Sequence, residues 1–233
     1  MKVLGIETSS SVGSVALLDG DRLIDEITFE KGMIHGRELT PSIQNICERN
    51  SVKLNEMSLI GVDIGPGSYT GLRVGLATAK GLVYALNKTG AKTSLVGVSS
   101  LEVMVENITS TDVDFLCPII DARWNQVYSC IYKVEGGKKM LIKEWGAYPP
   151  NELATALPKS TLIFGDGLKN YGELFRRDGM KFGDEVLWRP KASKVAEIAL
   201  RLYKEGKRDD PFTLVPLYLR PTEAEVKFGK AVK

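Results

Sequence analysis

Histidine is nearly missing from this chain of 233 residues: His35 is the only one. That scarcity excludes a two-histidine metal site, and it excludes any Ser-His-Asp triad that does not use His35. Cysteine is sparse as well. Cys47, Cys117 and Cys130 are odd in number, widely spaced and form no CxxC pair. Neither a disulfide framework nor a zinc site is expected; three reduced thiols in a cytoplasmic protein are. No stretch reaches the roughly 20 apolar residues that span a bilayer. The opening MKVLGIETSSS has no apolar run long enough for a signal-peptide core, and it reads directly as a strand. Charge of one sign is lacking too. The 31 basic and 29 acidic side chains leave a net charge of +2, without the basic excess of a protein that grips nucleic acid by itself. Nucleic acid stays open as the substrate of a larger assembly.

What is present is ordinary for a soluble globular protein: hydrophobic residues make up 43% and charged residues 26%, so disorder is not expected over most of the length. The length suits one large domain or two small lobes. Lys2–Glu7 and Ser14–Leu18 read as strands, Asp19-Gly20-Asp21 as a hairpin turn and Arg22–Phe29 as a third strand. His35–Asn50 has helical spacing in Leu39, Ile43 and Ile46, with Pro41 near its first turn or kinking it. Leu59–Ile64 is a strand, Thr70–Asn87 a helix and Thr93–Val98 a strand.

The second half repeats this order. Phe115–Asp121, Gln126–Val134 and Lys138–Trp145 are strands, with a turn at Gly136-Gly137. Asn151–Leu157 is a short helix with Asn151 as its N-cap. Thr161–Gly165 is a strand, and Leu168–Arg176 and the amphipathic Ser193–Lys204 are helices. Three strands, helix, strand, helix, written twice, imply two α/β lobes with mixed sheets. This is the order of the two-lobed actin, sugar kinase and Hsp70-like (ASKHA) fold. We expect an N-terminal lobe over residues 1–105 and a C-terminal lobe over residues 106–233, the last helix being free to pack back on the first lobe. In that architecture, polar turns after the first strand of each lobe meet nucleotide phosphates. The candidates are Glu7, Thr8, Ser9 and Ser10 in IETSSSVGS, and Asp121 in IDARWNQ; hydroxyls and turn N–H groups suit phosphate. The alternative is a polar turn with no ligand.

The most specific segment is DIGPGSYTGLRVGLATAKGL, residues 63–82. It reads as a strand end, a glycine-rich turn and a helix start. Gly65 and Gly67 open backbone angles closed to other residues, Pro66 stiffens the turn, and Ser68 or Thr70 caps the helix ahead of Gly71. The N–H groups there could hold an anion, but no GK[ST] follows, so this is not a Walker A loop. GPGSYTGLR, with IETSSS before it and KGLVYALN, LVGVSSLEV, IIDARWNQVY and PLYLRP after it, resembles the family of tRNA threonylcarbamoyladenosine biosynthesis proteins known as TsaB or YeaZ. The motifs run from residue 1 to about residue 132 and resume at Pro216–Pro221; residues 135–210 have no comparable match.

The resemblance implies the two-lobed fold and a role without chemistry of its own. It implies a scaffold for the catalytic paralogue TsaD, which threonylcarbamoylates the adenosine next to the anticodon in tRNAs reading codons that start with adenine. It further implies the ATPase TsaE as a partner, homodimers, and contact with tRNA only through the complex. No cofactor of its own is expected, with ADP or ATP left to the complex. The paralogue holds its metal with HxxxH in a stretch like VHHLEAH. Here the corresponding stretch is VSSLEVM, residues 98–104, which puts Ser100 and Met104 at the ligand positions. A hydroxyl and a thioether are poor substitutes for imidazole, so no metal site is expected. Glu102 then reads as a solvated helix residue, and His35 as a helix N-terminal residue with a structural hydrogen bond rather than a functional one.

On a helical wheel, Leu72, Leu76, Ala79, Val83 and Leu86 form one stripe of the second helix, and Val74, Ala77, Gly81, Tyr84 and Ala85 another. A helix apolar on two faces must be covered on two faces. One cover is the lobe's own sheet; the other is either the preceding helix or a partner protein. In the family the first two helices carry the subunit interface, which implies interface positions at Tyr69, Leu72, Arg73, Leu76, Lys80, His35 and Leu39. Three rivals stay open: a small-molecule kinase-like ATP-binding protein using Asp63, Asp121 or Asp166, an inactive glycopeptidase-like homologue, and a dimeric binding protein with another partner.

Overall fold

The computed structural model describes residues 1–29, 35–109 and 112–220, and for His35 the backbone alone. The chain divides into two compact units, Met1–Thr109 with Val186–Pro216, and Ser110–Glu185 with Leu217–Lys233.

In the first unit, β1 (Lys2–Glu7), β2 (Gly13–Asp19) and β3 (Arg22–Phe29) form an antiparallel meander. Then come α1 (His35–Arg49), β4 (Met57–Gly65), α2 (Tyr69–Lys88), β5 (Ser94–Ser99) and α3 (Ser100–Glu106). β4 adds parallel to β1 and β5 parallel to β4, giving the sheet order β3-β2-β1-β4-β5. The central strands are buried on both faces, as parallel strands between helices must be. On one side Leu4, Ile6, Leu17, Ile60 and Val62 pack with Leu39 and Ile43 of α1 and Leu76, Ala79 and Val83 of α2.

The other side is closed from far along the chain, by α6 (Ala192–Lys204). Its Val195, Ala196, Ala199 and Leu200 pack on Val3, Ala16, Leu18, Leu59 and Val96. The approach is close enough to need glycine beneath it. A Cβ at Gly61 would lie 2.6 Å from the Ala199 Cβ, and one at Gly5 would run into the Ala192 carbonyl. The helix is anchored at its start, where Ala192 N donates to Ser14 Oγ at 3.0 Å and Ser193 Oγ to Glu26 at 3.0 Å.

In the second unit, β6 (Phe115–Arg123), β7 (Gln126–Glu135) and β8 (Lys138–Tyr148) form a meander. They are followed by α4 (Pro150–Ala156), β9 (Thr161–Phe164), α5 (Leu168–Tyr171) and β10 (Met180–Phe182). The order β10-β9-β6-β7-β8, with β9 parallel to β6 and β10 parallel to β9, repeats that of the first sheet. Two lobes of this duplicated topology make the chain an ASKHA-type α/β protein. Its second core gathers Cys117, Ile119, Val127 and Ile131 with Leu153 and Leu157 around α4, and Phe175.

Several local expectations need correction. Asn151 does not cap α4: Pro149 is the N-cap and Pro150 the first helical residue, a position where proline's fixed φ and missing N–H cost nothing. The helix expected over Leu168–Arg176 breaks at Gly172 into α5 and a 3₁₀ turn, Gly172–Phe175, since glycine inside a helix is unfavourable. Pro41 lies in the second turn of α1, not the first. Of α3 only Glu102 reads as helical in the sequence, and the short β10 is not anticipated there.

Candidate functional site

The register of β1 with β4 pairs Ile6 with Val62, so the next residues, Glu7 and Asp63, end neighbouring parallel strands side by side. Both are fully buried. Glu7 Oε1 accepts from Ser9 N at 2.6 Å and from Ser9 Oγ at 2.5 Å. Asp63 Oδ1 accepts from Ser100 Oγ at 2.6 Å and Gly65 N at 2.7 Å. Among the described residues, Glu7 Oε2 and Asp63 Oδ2 meet no donor. Burial, then the charge of Asp63, raises the Glu7 carboxyl well above its usual range. Burial pushes Asp63 up to about 6 against the pull of hydrogen bonds from Ser100, Gly65 N and Ser9. Burial, and on Glu7 the charge of Asp63 as well, disfavours the charged form of each carboxyl.

In this structure Glu7, Thr8 and Ser9, the expected phosphate contacts, make hydrogen bonds within the chain. The N–H and hydroxyl of Ser9 are spent on Glu7, and Thr8 Oγ1 donates to Gly71 O at 2.8 Å. Thr8 and Ser9 are buried, and Ser10 Oγ donates to Val12 O at 2.8 Å. What the turn holds is the start of α2. Ser68 N donates to Ser9 O at 2.7 Å, and a Cβ at Gly67 would run into that same carbonyl. Ser68 is the N-cap, accepting from Gly71 N at 3.3 Å, and Thr70 is not. Gly65 takes a φ of +104° ahead of Pro66. The signature turn, Gly65 to Gly71, is therefore a clasp between β1 and α2.

In the second unit, Asp121 likewise works on its own turn. Its Oδ1 accepts from Arg123 N at 2.8 Å and its Oδ2 from Asn170 Nδ2 at 2.8 Å, while its N–H donates to Asp166 Oδ1 at 3.0 Å.

The interface candidates separate into two groups. Leu72, Leu76 and Leu39 are 2%, 4% and 1% exposed. They fill the core of their own lobe and offer a partner no surface, because the wheel's first stripe is the sheet-facing one. Tyr69 and Arg73 stay at the surface, the Arg73 guanidinium 3.9 Å from the Tyr69 ring centroid. Lys80 donates to Leu214 O at 3.0 Å. The side chain of His35 lies outside what the structure describes. The second stripe stays largely uncovered by α1: Ala77, Gly81, Tyr84 and Ala85 are exposed, and only Val74 is half-buried.

A segment not foreseen borders this face. Residues 207–214 run along β5, with Asp209 N donating to Leu95 O at 2.9 Å and Gly97 N to Asp209 Oδ2 at 2.8 Å, and they set Phe212 edge-on to Tyr84, ring centroids 5.8 Å apart. The stretch has no periodicity that would have revealed it.

On α3, Ser100 spends its hydroxyl on Asp63, and Met104 is buried in the first lobe. Neither is placed to act as a ligand. Glu102 is not a solvated residue but pairs with Arg201 of α6 at 2.7 Å.

The family model described as TsaD: tRNA N6-adenosine threonylcarbamoyltransferase matches residues 32–157, more than half of the chain. A protein of Bacillus subtilis (strain 168) named tRNA threonylcarbamoyladenosine biosynthesis protein TsaB is 30% identical over 245 residues, covering 100% of both chains. One of the same name from Escherichia coli (strain K12) is 26% identical over 225 residues, covering 94% of this chain and 95% of that one. Among solved structures, YeaZ from Pseudomonas aeruginosa superposes with a TM-score of 0.80 at 23% identity, over 94% of this chain and 99% of that one.

Proposed function

The chain belongs to the TsaB (YeaZ) family of tRNA threonylcarbamoyladenosine biosynthesis proteins, and from that premise we propose that it is the non-catalytic accessory subunit of the threonylcarbamoyl transfer machinery. Its task is to bind and scaffold the catalytic paralogue TsaD, with TsaE completing a cytoplasmic assembly that brings in the tRNA. What carries the reading is the end-to-end match with TsaB proteins, supported by the TsaD family model over residues 32–157.

The non-catalytic role is supported by two side chains. The positions at which the paralogue holds its metal are filled by a serine committed to Asp63 and a buried methionine. The first-lobe turn has likewise spent its donors internally, so a nucleotide in the assembly is held chiefly by the partner. The scaffold role is supported by the exposed stripe of α2. Small residues at 77, 81 and 85 let a second helix approach closely, and Tyr69, Arg73 and Tyr84 frame them. The sister subunit TsaD, or a second copy of this chain, docks there.

The test is reconstitution. Purified chain, TsaD and TsaE, supplied with ATP and with threonylcarbamoyl-adenylate as the donor that leaves AMP, should together modify a tRNA transcript that reads an adenine-first codon, and omission of this chain should abolish turnover. Charge reversal, Arg73→Glu, should weaken pairing in gel filtration. Modification of tRNA by the isolated chain would sink the proposal.

A further inference from the structure

The β6–β7 turn is unlike the other hairpins of the molecule. Arg123, Trp124 and Asn125 hold φ values of +58°, +51° and +55° in succession, a region L side chains other than asparagine rarely occupy even singly. The turn is held there by Asp121, through Arg123 N at 2.8 Å and Asn170 Nδ2 at 2.8 Å. The outcome is an indole pushed into solvent: Trp124 is 54% exposed. The Arg220 guanidinium sits 4.6 Å from the ring centroid, and its Nη1 donates to Arg123 O at 3.4 Å. A tryptophan serving only as an anchor for the chain would be covered. Here one face carries a cation, and more than half of the residue is left to water.

We propose that Trp124 is a stacking platform for an unpaired base of RNA, with Arg123 and Arg220 meeting the adjoining phosphate. A guanidinium already on the ring makes a second cation unwelcome. It favours a ligand that brings a flat π-face together with negative charge, which is what a nucleotide within a single strand supplies. With a net charge of only +2 on the whole chain, the non-specific phosphate contribution is small. The platform therefore adds orientation to an RNA already held by the assembly rather than capturing RNA alone at physiological salt. This deepens the proposed function, and it rests on the reading that the chain works on tRNA.

The test uses the full chain by itself first. A short unstructured RNA, titrated at low salt, should quench tryptophan fluorescence. Trp124→Ala should weaken binding by about 5- to 150-fold, the range for loss of one stacked base, while Trp124→Phe keeps most of it and Arg220→Ala falls between. In the reconstituted assembly, Trp124→Ala should raise the KM for tRNA with kcat nearly unchanged. Equal RNA affinity for wild type and Trp124→Ala, in a variant that melts like wild type, overturns the inference while leaving the accessory role standing. Quenching by free AMP as strong as by RNA, and competitive with it, overturns it too by making the ligand a mononucleotide. Failure of wild-type chain to support TsaD would instead sink the accessory role, with the quenching result read independently.

Discussion

Replacing Glu7 by glutamine should make the protein more stable at neutral pH, although it removes a fully buried residue with two good hydrogen bonds. Glu7 and Asp63 face each other from adjoining strands; the groups around them are Ser9 from the turn, Ser100 from α3 and Gly65 N. None is a cation, so nothing offsets the second charge. Burial pushes Asp63 from 3.8 up to about 6 and, together with the charge of Asp63, raises Glu7 well above its usual range; the substitution removes the Glu7 share alone, on the order of 1–3 kcal/mol at about 1.4 kcal/mol per tenfold in proton affinity. The sign follows from proton counts. A carboxyl whose folded pKa is raised binds more protons folded than unfolded, so stability falls as pH rises from the unfolded value through the folded one. The window opens near 3.8 for Asp63 and closes at about 6; for Glu7 it opens near 4.5 and reaches well above that.

Glutamine keeps an acceptor for Ser9 and supplies an N–H for the orphaned Asp63 Oδ2. The Glu7→Gln variant should therefore gain about 1–3 kcal/mol at about pH 7.5 and match wild type near about pH 4, where the pair is already neutral. Urea unfolding followed by circular dichroism across that range measures both, and the wild-type slope should flatten in the variant. A variant less stable than wild type at about pH 7.5, with the pH slope unchanged, would show that the pair is not the buried electrostatic liability described here.

Other outcomes follow from close packing and exposure. A Cβ at Gly81 meets nothing within 4 Å, so Gly81→Ala should stabilise the free chain by up to about 1 kcal/mol through helix propensity; sedimentation should show weaker pairing in the same variant, and unimpaired pairing would move the docking face elsewhere. Gly61→Val, against Ala199 of α6, should cost about 1–3 kcal/mol by overpacking, read as a lower urea midpoint with an unchanged slope. The three thiols are buried, and burial pushes Cys117 up to about 12; a thiol-specific chromogenic reagent should label none of them until denaturant is added, and fast labelling in native buffer would contradict their placement.

Much of the fold was legible in the chain because its strands announce themselves. β1 and β3 have the limits that composition and turn residues dictate, and the duplicated order of elements follows from hydrophobic runs and Gly/Asp turns. What stayed hidden depends on partners distant in sequence. Seven residues of α3 give two turns, too few for periodicity to register. The leucines at 39, 72 and 76 are apolar on a helix, and a wheel shows that two stripes exist without telling which one the sheet claims. The pairing of Glu7 with Asp63 needs the parallel register of β1 and β4. A pair of acids at the ends of two such strands is the one signal that could have raised it. The exposed Trp124 owes its position to Asp121 and Arg220, 3 and 96 residues away in number, and no local pattern links them.

The return of α6 to the first sheet has a consequence for biogenesis. Val3, Leu18, Leu59 and Val96 wait for Val195, Ala196 and Ala199, so a nascent chain that has delivered the whole opening meander still shows one greasy face to the ribosome's surroundings. The N-terminal lobe cannot complete itself until residues 192–204 have been translated. Premature termination anywhere before α6 would leave a product for chaperones or proteases rather than a smaller working lobe.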